Sequence, residues 1–124
     1  MYKVLVVDDV FVMRHTLKRN LAELGHTVVG EVDNGYDAIE VYKAEKPDIV
    51  TLDITMPAVN GISNGIDALI EIKKIDPKAN VIMITSHGEQ KLIIEAISKG
   101  AKGYILKPIT KEKIESAIQK LKLA

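Results

Sequence analysis

The sequence predicts an α/β protein, a five-stranded parallel sheet covered by helices on both faces. Three observations carry this reading. Short unbroken apolar runs, Val4-Leu5-Val6-Val7, Ile49-Val50-Thr51-Leu52 and Val81-Ile82-Met83-Ile84, read as strands buried on both sides rather than on one. Each strand pattern is followed by apolar residues at helical spacing, and this alternation occurs five times. At 124 residues the chain is expected to be one domain, 1–124, able to bury roughly two-thirds of its unfolded surface.

The elements follow in order. Residues 2–8 form the first strand, and Val10, Met13, Leu17, Leu21 and Leu24 mark the apolar face of a helix stopped at Gly25. Residues 27–32 read as the second strand, ending in the turn Asp33-Asn34-Gly35. Ala38, Ile39 and Tyr42 face inward on a short helix halted before Pro47. The third strand, 48–53, leads into a loop of about ten residues, then a helix over 65–75 with Ile66, Leu69, Ile70 and Ile72 inward, ending at Asp76-Pro77. Strand 80–85 precedes helix 89–99, packed through Ile93, Ala96 and Ile97 and closed by Gly100. Strand 103–107 precedes the last helix, with Thr110 as its cap and Ile114, Ala117, Ile118 and Leu121 inward. The repeat Asn60-Gly61-Ile62, Asn64-Gly65-Ile66 reads as loop or broken turn, because two such Asn-Gly steps do not fit inside one helix.

Composition removes several functions. Seventeen basic and seventeen acidic side chains cancel, so no basic field attracts nucleic acid or an anionic membrane. Without cysteine there is no disulfide framework, thiol nucleophile or thiolate metal site. No apolar stretch approaches the ~20 residues of a membrane span, and the amino terminus has no signal-peptide core. A cytoplasmic protein is expected.

Chemistry concentrates where the strands end. The first strand runs into Asp8-Asp9, the third into Asp53, the fourth into Thr85-Ser86 and the fifth into Lys107-Pro108. In open parallel sheets the carboxyl edge is where ligands bind, so these groups should meet in one crevice. Adjacent carboxylates repel, and a hard divalent cation such as Mg²⁺ resolves the repulsion. A carboxylate can also attack phosphorus to give a mixed anhydride, which makes Asp53 a candidate nucleophile. Thr85 can donate to a phosphoryl oxygen, and Lys107 at a buried strand end needs an anionic partner. Each residue has a plainer account. Asp9 as a helix cap, Asp53 as a chain-turning residue, Thr85 as an ordinary strand residue and Lys107 as a lysine reaching outward all stand beside the chemical reading. The Lys107-Pro108 bond is a candidate cis turn.

Taken together, Asp8-Asp9, Asp53 with Met56-Pro57, Thr85 and Lys107-Pro108 resemble the signature of response-regulator receiver domains over essentially the whole chain. The resemblance implies a doubly wound, flavodoxin-like sheet of strand order 2-1-3-4-5 with five helices. No output domain is expected, because the chain shows no linker and only Leu123 and Ala124 after the last helix. It implies that Asp53 accepts phosphate from a histidine kinase or a small phosphodonor. Mg²⁺ would bind Asp9, Asp53 and the Thr55 backbone carbonyl directly, and Asp8 through water. Thr85 and Lys107 would close on the phosphoryl group, and Tyr104 would turn from an exposed to a buried rotamer. That movement would change the surface of helix 89–99, strand 103–107 and the last helix. A Tyr104 packed one way in all states is the alternative. Thr55 and His87 fall at positions that tune hydrolysis in the family, although an exposed His87 without a role is the plainer reading.

Two features depart from the pattern. Ser86 follows Thr85 where a small apolar residue or glycine is usual. The segment with the doubled Asn-Gly-Ile is about four residues longer than usual, and is expected to alter phosphoryl chemistry or donor docking rather than the fold.

Val7-Asp8-Asp9 with Met13-Arg14, and the stretch from Asp48 to Pro57, are most similar to the stand-alone chemotaxis CheY proteins. The expectation is a monomeric switch, not an enzyme beyond its own phosphorylation and dephosphorylation, that meets the chemotaxis kinase and a motor-switch protein. A phosphorelay intermediate serving a histidine phosphotransferase is the nearest alternative. An Mg²⁺-dependent aspartyl-phosphate phosphatase is disfavoured, because Asp53-Ile54-Thr55 lacks the second aspartate of the Asp-x-Asp nucleophile motif.

Overall fold

The computed structural model describes residues 1–123. Its elements run β1 (Lys3–Val7), α1 (Phe11–Glu23), β2 (Thr27–Val32), α2 (Gly35–Glu45), β3 (Ile49–Asp53), α3 (Gly65–Ile75), β4 (Val81–Thr85), α4 (Gln90–Ser98), β5 (Gly103–Leu106) and α5 (Lys111–Lys120). All strand pairs are parallel, in the order β2-β1-β3-β4-β5. The parallel sheet covered on both faces is as the sequence predicted, and its strand order is the one the family resemblance implied.

Strand alternation divides the apolar residues between two layers. Leu5, Val7, Val50, Leu52, Val81 and Met83 point to the side covered by α2, α3 and α4. Val4, Val6, Ile49, Ile82, Ile84 and Ile105 point to the other, where Leu17 and Leu21 of α1 meet Ile114 and Ile118 of α5. The three central strands are therefore buried almost throughout, which explains their unbroken apolar runs.

Helix starts are specified locally. Asn34 accepts the Asp37 N–H at 2.8 Å and caps α2; Asn64 accepts the Asp67 N–H at 3.0 Å and caps α3; Thr110 accepts the Lys113 N–H at 3.2 Å and caps α5. Asp67 reaches back to the Ser63 N–H at 2.9 Å, so the start of α3 is closed in both directions.

The two Asn-Gly steps play different parts. Asn60 and Gly61 have φ of 48° and 84° and form a tight turn, closed by hydrogen bonds exchanged between Val59 and Ile62. Asparagine followed by glycine suits a turn with two positive φ values. The second step begins a helix instead. Gly65 donates to the Ile54 carbonyl at 2.7 Å, and a Cβ there would lie 2.0 Å from the Asp53 carbonyl oxygen. That close approach seats α3 directly against the end of β3. Ile62 also turns inward toward Gly35, so the longer segment is partly packed rather than wholly superficial.

Several details differ from the sequence reading. The first strand is Lys3–Val7 rather than 2–8, the fifth ends at Leu106, and α4 spans Gln90–Ser98. Val10 precedes α1 and is exposed instead of lying on its buried face. Ile97 is 45 % exposed, because the inward stripe of α4 is centred on Leu92, Ile93 and Ala96. The Lys107-Pro108 peptide bond is cis. Among the described residues, no helix is long and apolar enough to cross a membrane.

Candidate functional site

Four strand ends converge on one crevice. Asp8 follows β1 and is fully buried. Its Oδ1 accepts the Val10 N–H at 2.8 Å, while its Oδ2 is buried with no hydrogen-bond partner among the described residues. It is thus Asp8, not Asp9, that holds the entry to α1, and Asp9 is exposed at the rim. Arg14 fixes the same corner by donating from Nη1 to the Asp8 carbonyl at 2.8 Å, and its Nε pairs with Glu31 at 3.1 Å.

Asp53 ends β3 with only 5 % exposure. One carboxylate oxygen from each of Asp8, Asp9 and Asp53 lies within 4.8 Å of the other two. Lys107 enters from the end of β5, with its Nζ 3.6 Å from Asp53 Oδ1 and 3.8 Å from Asp8 Oδ2. One ammonium among three carboxylates leaves the crevice with an excess of negative charge. Burial, then repulsion from Asp8, pushes the Asp53 carboxyl up to about 7, against the pull of Lys107. Burial also raises Asp8, opposed by the Val10 N–H and by Lys107.

Thr85 ends β4, buried, and its hydroxyl donates to Glu89 Oε1 at 3.1 Å. Thr55 is exposed in the loop after β3, and its hydroxyl donates to Glu89 Oε2 at 2.6 Å. Ser86 and His87 are exposed, and line one side of a shallow cleft with Met13, Lys107 and Pro108. Tyr104 lies away from the crevice on β5, 54 % exposed, beside a groove lined by Lys102, Lys113, Ser116 and Lys120.

Sequence reasoning did not single out Glu89. Burial works to raise its carboxyl, but hydrogen bonds from Thr55, Ser86 and Thr85 more than offset this and hold it below its ordinary value. The one signal was an acid at the mouth of the crevice, four residues beyond Thr85, where α4 begins.

The donor set suits a hard divalent cation. It offers three carboxylates, and includes a buried Asp8 oxygen that has no hydrogen-bond partner among the described residues. An aspartate beside such a site, with an ammonium and a hydroxyl at neighbouring strand ends, is arranged for phosphoryl chemistry.

Residues 4–119 match the response regulator receiver domain, and the chain belongs to that family. It is 48% identical over 119 residues to the chemotaxis protein CheY of Thermotoga maritima, covering 96% of each chain. It is 44% identical over 119 residues to the Bacillus subtilis chemotaxis protein CheY, again with 96% of each chain covered. Among solved structures it resembles the CheX-CheY-BeF3-Mg complex of Borrelia burgdorferi, at a TM-score of 0.91 and 33% identity over 99% of this chain and 90% of that one. The chain is therefore a CheY-like response regulator of two-component signal transduction.

Proposed function

We propose that this protein is a chemotaxis switch that takes a phosphoryl group on Asp53 from a histidine kinase and thereby changes its affinity for a motor-switch protein. The observation that carries the reading is the Asp53 carboxylate, buried at a strand end opposite Asp8 and Asp9, with Lys107 at 3.6 Å. The CheY relatives support the chemotactic setting; in this reading the protein meets both kinase and target in the cytoplasm.

In the reaction an Asp53 oxygen forms a bond to phosphorus as the bond from phosphorus to the donor's nitrogen or oxygen breaks. The leaving group departs with the bonding electron pair and takes a proton from solvent. Asp8, Asp9, Asp53 and the Thr55 backbone carbonyl would hold Mg²⁺, which supplies positive charge to the transferring group. Lys107 neutralises one charge of the product, and Thr85 offers its hydroxyl proton to a phosphoryl oxygen. In hydrolysis a water oxygen bonds to phosphorus as the bond from phosphorus to the Asp53 oxygen breaks, so inorganic phosphate leaves, the water gives up a proton to solvent and the carboxylate returns, with Thr55, Ser86 and His87 at the approach to the crevice. Tyr104, half-exposed beside the β5–α5 groove, is positioned to report the change to a partner.

The test is intact-mass analysis after incubation with a small carboxyl-phosphate donor, with and without Mg²⁺. A single phosphate adduct should form only with Mg²⁺ and be lost in Asp53→Asn. An adduct that persists in that variant, or forms equally in a chelator, would overturn the assignment.

A further inference from the structure

Glu89 binds three donors with two oxygens. Its Oε2 accepts the Thr55 hydroxyl at 2.6 Å, and its Oε1 accepts the Ser86 N–H at 2.6 Å and the Thr85 hydroxyl at 3.1 Å. A helix cap accepts N–H groups from the first turn of its own helix. Glu89 instead accepts from residues ahead of α4, and two of its three donors are hydroxyls beside the acidic crevice. One half-buried side chain therefore ties the loop after β3 to the loop after β4 across the mouth of the site.

The consequence lies in the inventory of protons. A threonine hydroxyl has one hydrogen to donate. The Thr85 hydroxyl has two acceptors in reach, Glu89 Oε1 at 3.1 Å and the Ser86 carbonyl at 3.4 Å; the nearer, charged Glu89 is the stronger one, so the proton must leave it before it can serve a phosphoryl oxygen on Asp53. The two acceptors compete for a single donor, and the negative charge of Glu89 also opposes added negative charge at Asp53.

We propose that Glu89 is a latch. It holds Thr85 in the resting arrangement and so sets how far a phosphoryl group must pull to reach the active one. This rests on the reading of Asp53 as the phosphoacceptor. Ser86 donates to the same Glu89 oxygen as Thr85, and Glu89 immediately precedes α4, so the entry to that helix is joined to the crevice through one residue. Glu89 acts through Thr85 and Thr55 rather than on the transferred group, and is a positioning residue. A ligand for the active arrangement binds more tightly as the competing resting arrangement is weakened.

The experiment titrates the parent, Glu89→Gln and Glu89→Ala with beryllofluoride in saturating Mg²⁺, followed by NMR, with thermal melts measured in parallel. Glu89→Ala should tighten beryllofluoride binding about tenfold, the scale of one lost hydrogen bond to a charged acceptor. Glu89→Gln should tighten it less, because its single carbonyl oxygen replaces two acceptors. Before any beryllofluoride is added, the Thr85 resonances of both variants should already lie part-way toward their bound positions. Glu89→Gln keeps the size of the side chain and carries the test if Glu89→Ala melts early. Affinities within twofold of the parent, or weaker, with Thr85 resonances unmoved, would overturn the latch. A change in melting temperature alone would assign Glu89 a purely structural part and overturn it as well. A parent protein that fails to bind beryllofluoride at all would instead overturn the phosphoacceptor reading beneath it.

Discussion

Replacing Asp53 by asparagine should stabilise the metal-free fold, increasingly so as the pH rises. The Asp53 carboxyl stands at about 7 in the folded protein against an ordinary 3.8, through burial first and the Asp8 charge next. The folded state therefore keeps this proton to a higher pH than the unfolded chain does. Stability from the group is fully present below about pH 4 and is lost as the pH climbs through about 7. The displacement of about three pH units corresponds to about 4 kcal/mol at 1.36 kcal/mol per unit. Solvent screening at the mouth of the crevice and relaxation around Lys107 reduce this to about 1–3 kcal/mol. Asparagine retains the shape and has no proton to lose. Urea unfolding in a chelator at pH 5 and pH 8 measures the effect. The stability difference in favour of Asp53→Asn should widen by about 1–2 kcal/mol between the two pH values. Adding Mg²⁺ at ten times its dissociation constant should return about 1.4 kcal/mol to the parent and little to the variant. A difference that stays constant with pH, or a variant less stable than the parent at pH 8, would refute the claim that burial and repulsion of the Asp53 charge in this crevice strain the fold.

Three further outcomes are expected. Gly65→Ala should lower the urea midpoint by the equivalent of about 3 kcal/mol, since its Cβ would stand 2.0 Å from the Asp53 carbonyl oxygen; an unchanged midpoint would show that α3 moves freely away from β3. Tyr42→Phe removes the 2.8 Å hydrogen bond to Asp76, which holds that carboxyl below its ordinary value, and should cost about 1 kcal/mol at neutral pH. Because a lowered carboxyl stabilises only above its unfolded value, this loss should shrink as the pH falls below about 4, and an NMR titration should find Asp76 restored toward its ordinary value. Deleting 62–65 brings Asn60-Gly61 into the capping place of Asn64-Gly65, so the fold should survive with about 1 kcal/mol lost from the packing of Ile62. The phosphorylation or dephosphorylation rate should move in that variant; unchanged rates with a collapsed melting temperature would make the segment structural.

The sequence by itself determined the architecture. Three central strands buried on both faces leave no position for a charged residue until they end, so Val4–Val7, Ile49–Leu52 and Val81–Ile84 announce both the strands and their ends in Asp8, Asp53 and Thr85. The apolar stripes of the helices and the caps at Asn34, Asn64 and Thr110 depend on spacings of three or four residues, which are local enough to read directly. That Asp8, Asp9, Asp53 and Lys107 share one crevice follows from the same logic, because a parallel sheet sends all its strand ends to one edge. What the tertiary structure alone decided is which atoms meet there. Asp8 rather than Asp9 receives the Val10 N–H because of how the chain turns into α1, and Ile97 faces solvent because α4 is rotated to present Leu92, Ile93 and Ala96. The bridge through Glu89 was invisible for the same reason. Thr55 and Glu89 are separated by thirty-four residues, and only the parallel alignment of β3 with β4 brings their loops within 2.6 Å. A spacing along the chain encodes one element at a time, whereas that hydrogen bond depends on the register of two strands and the seating of a helix together.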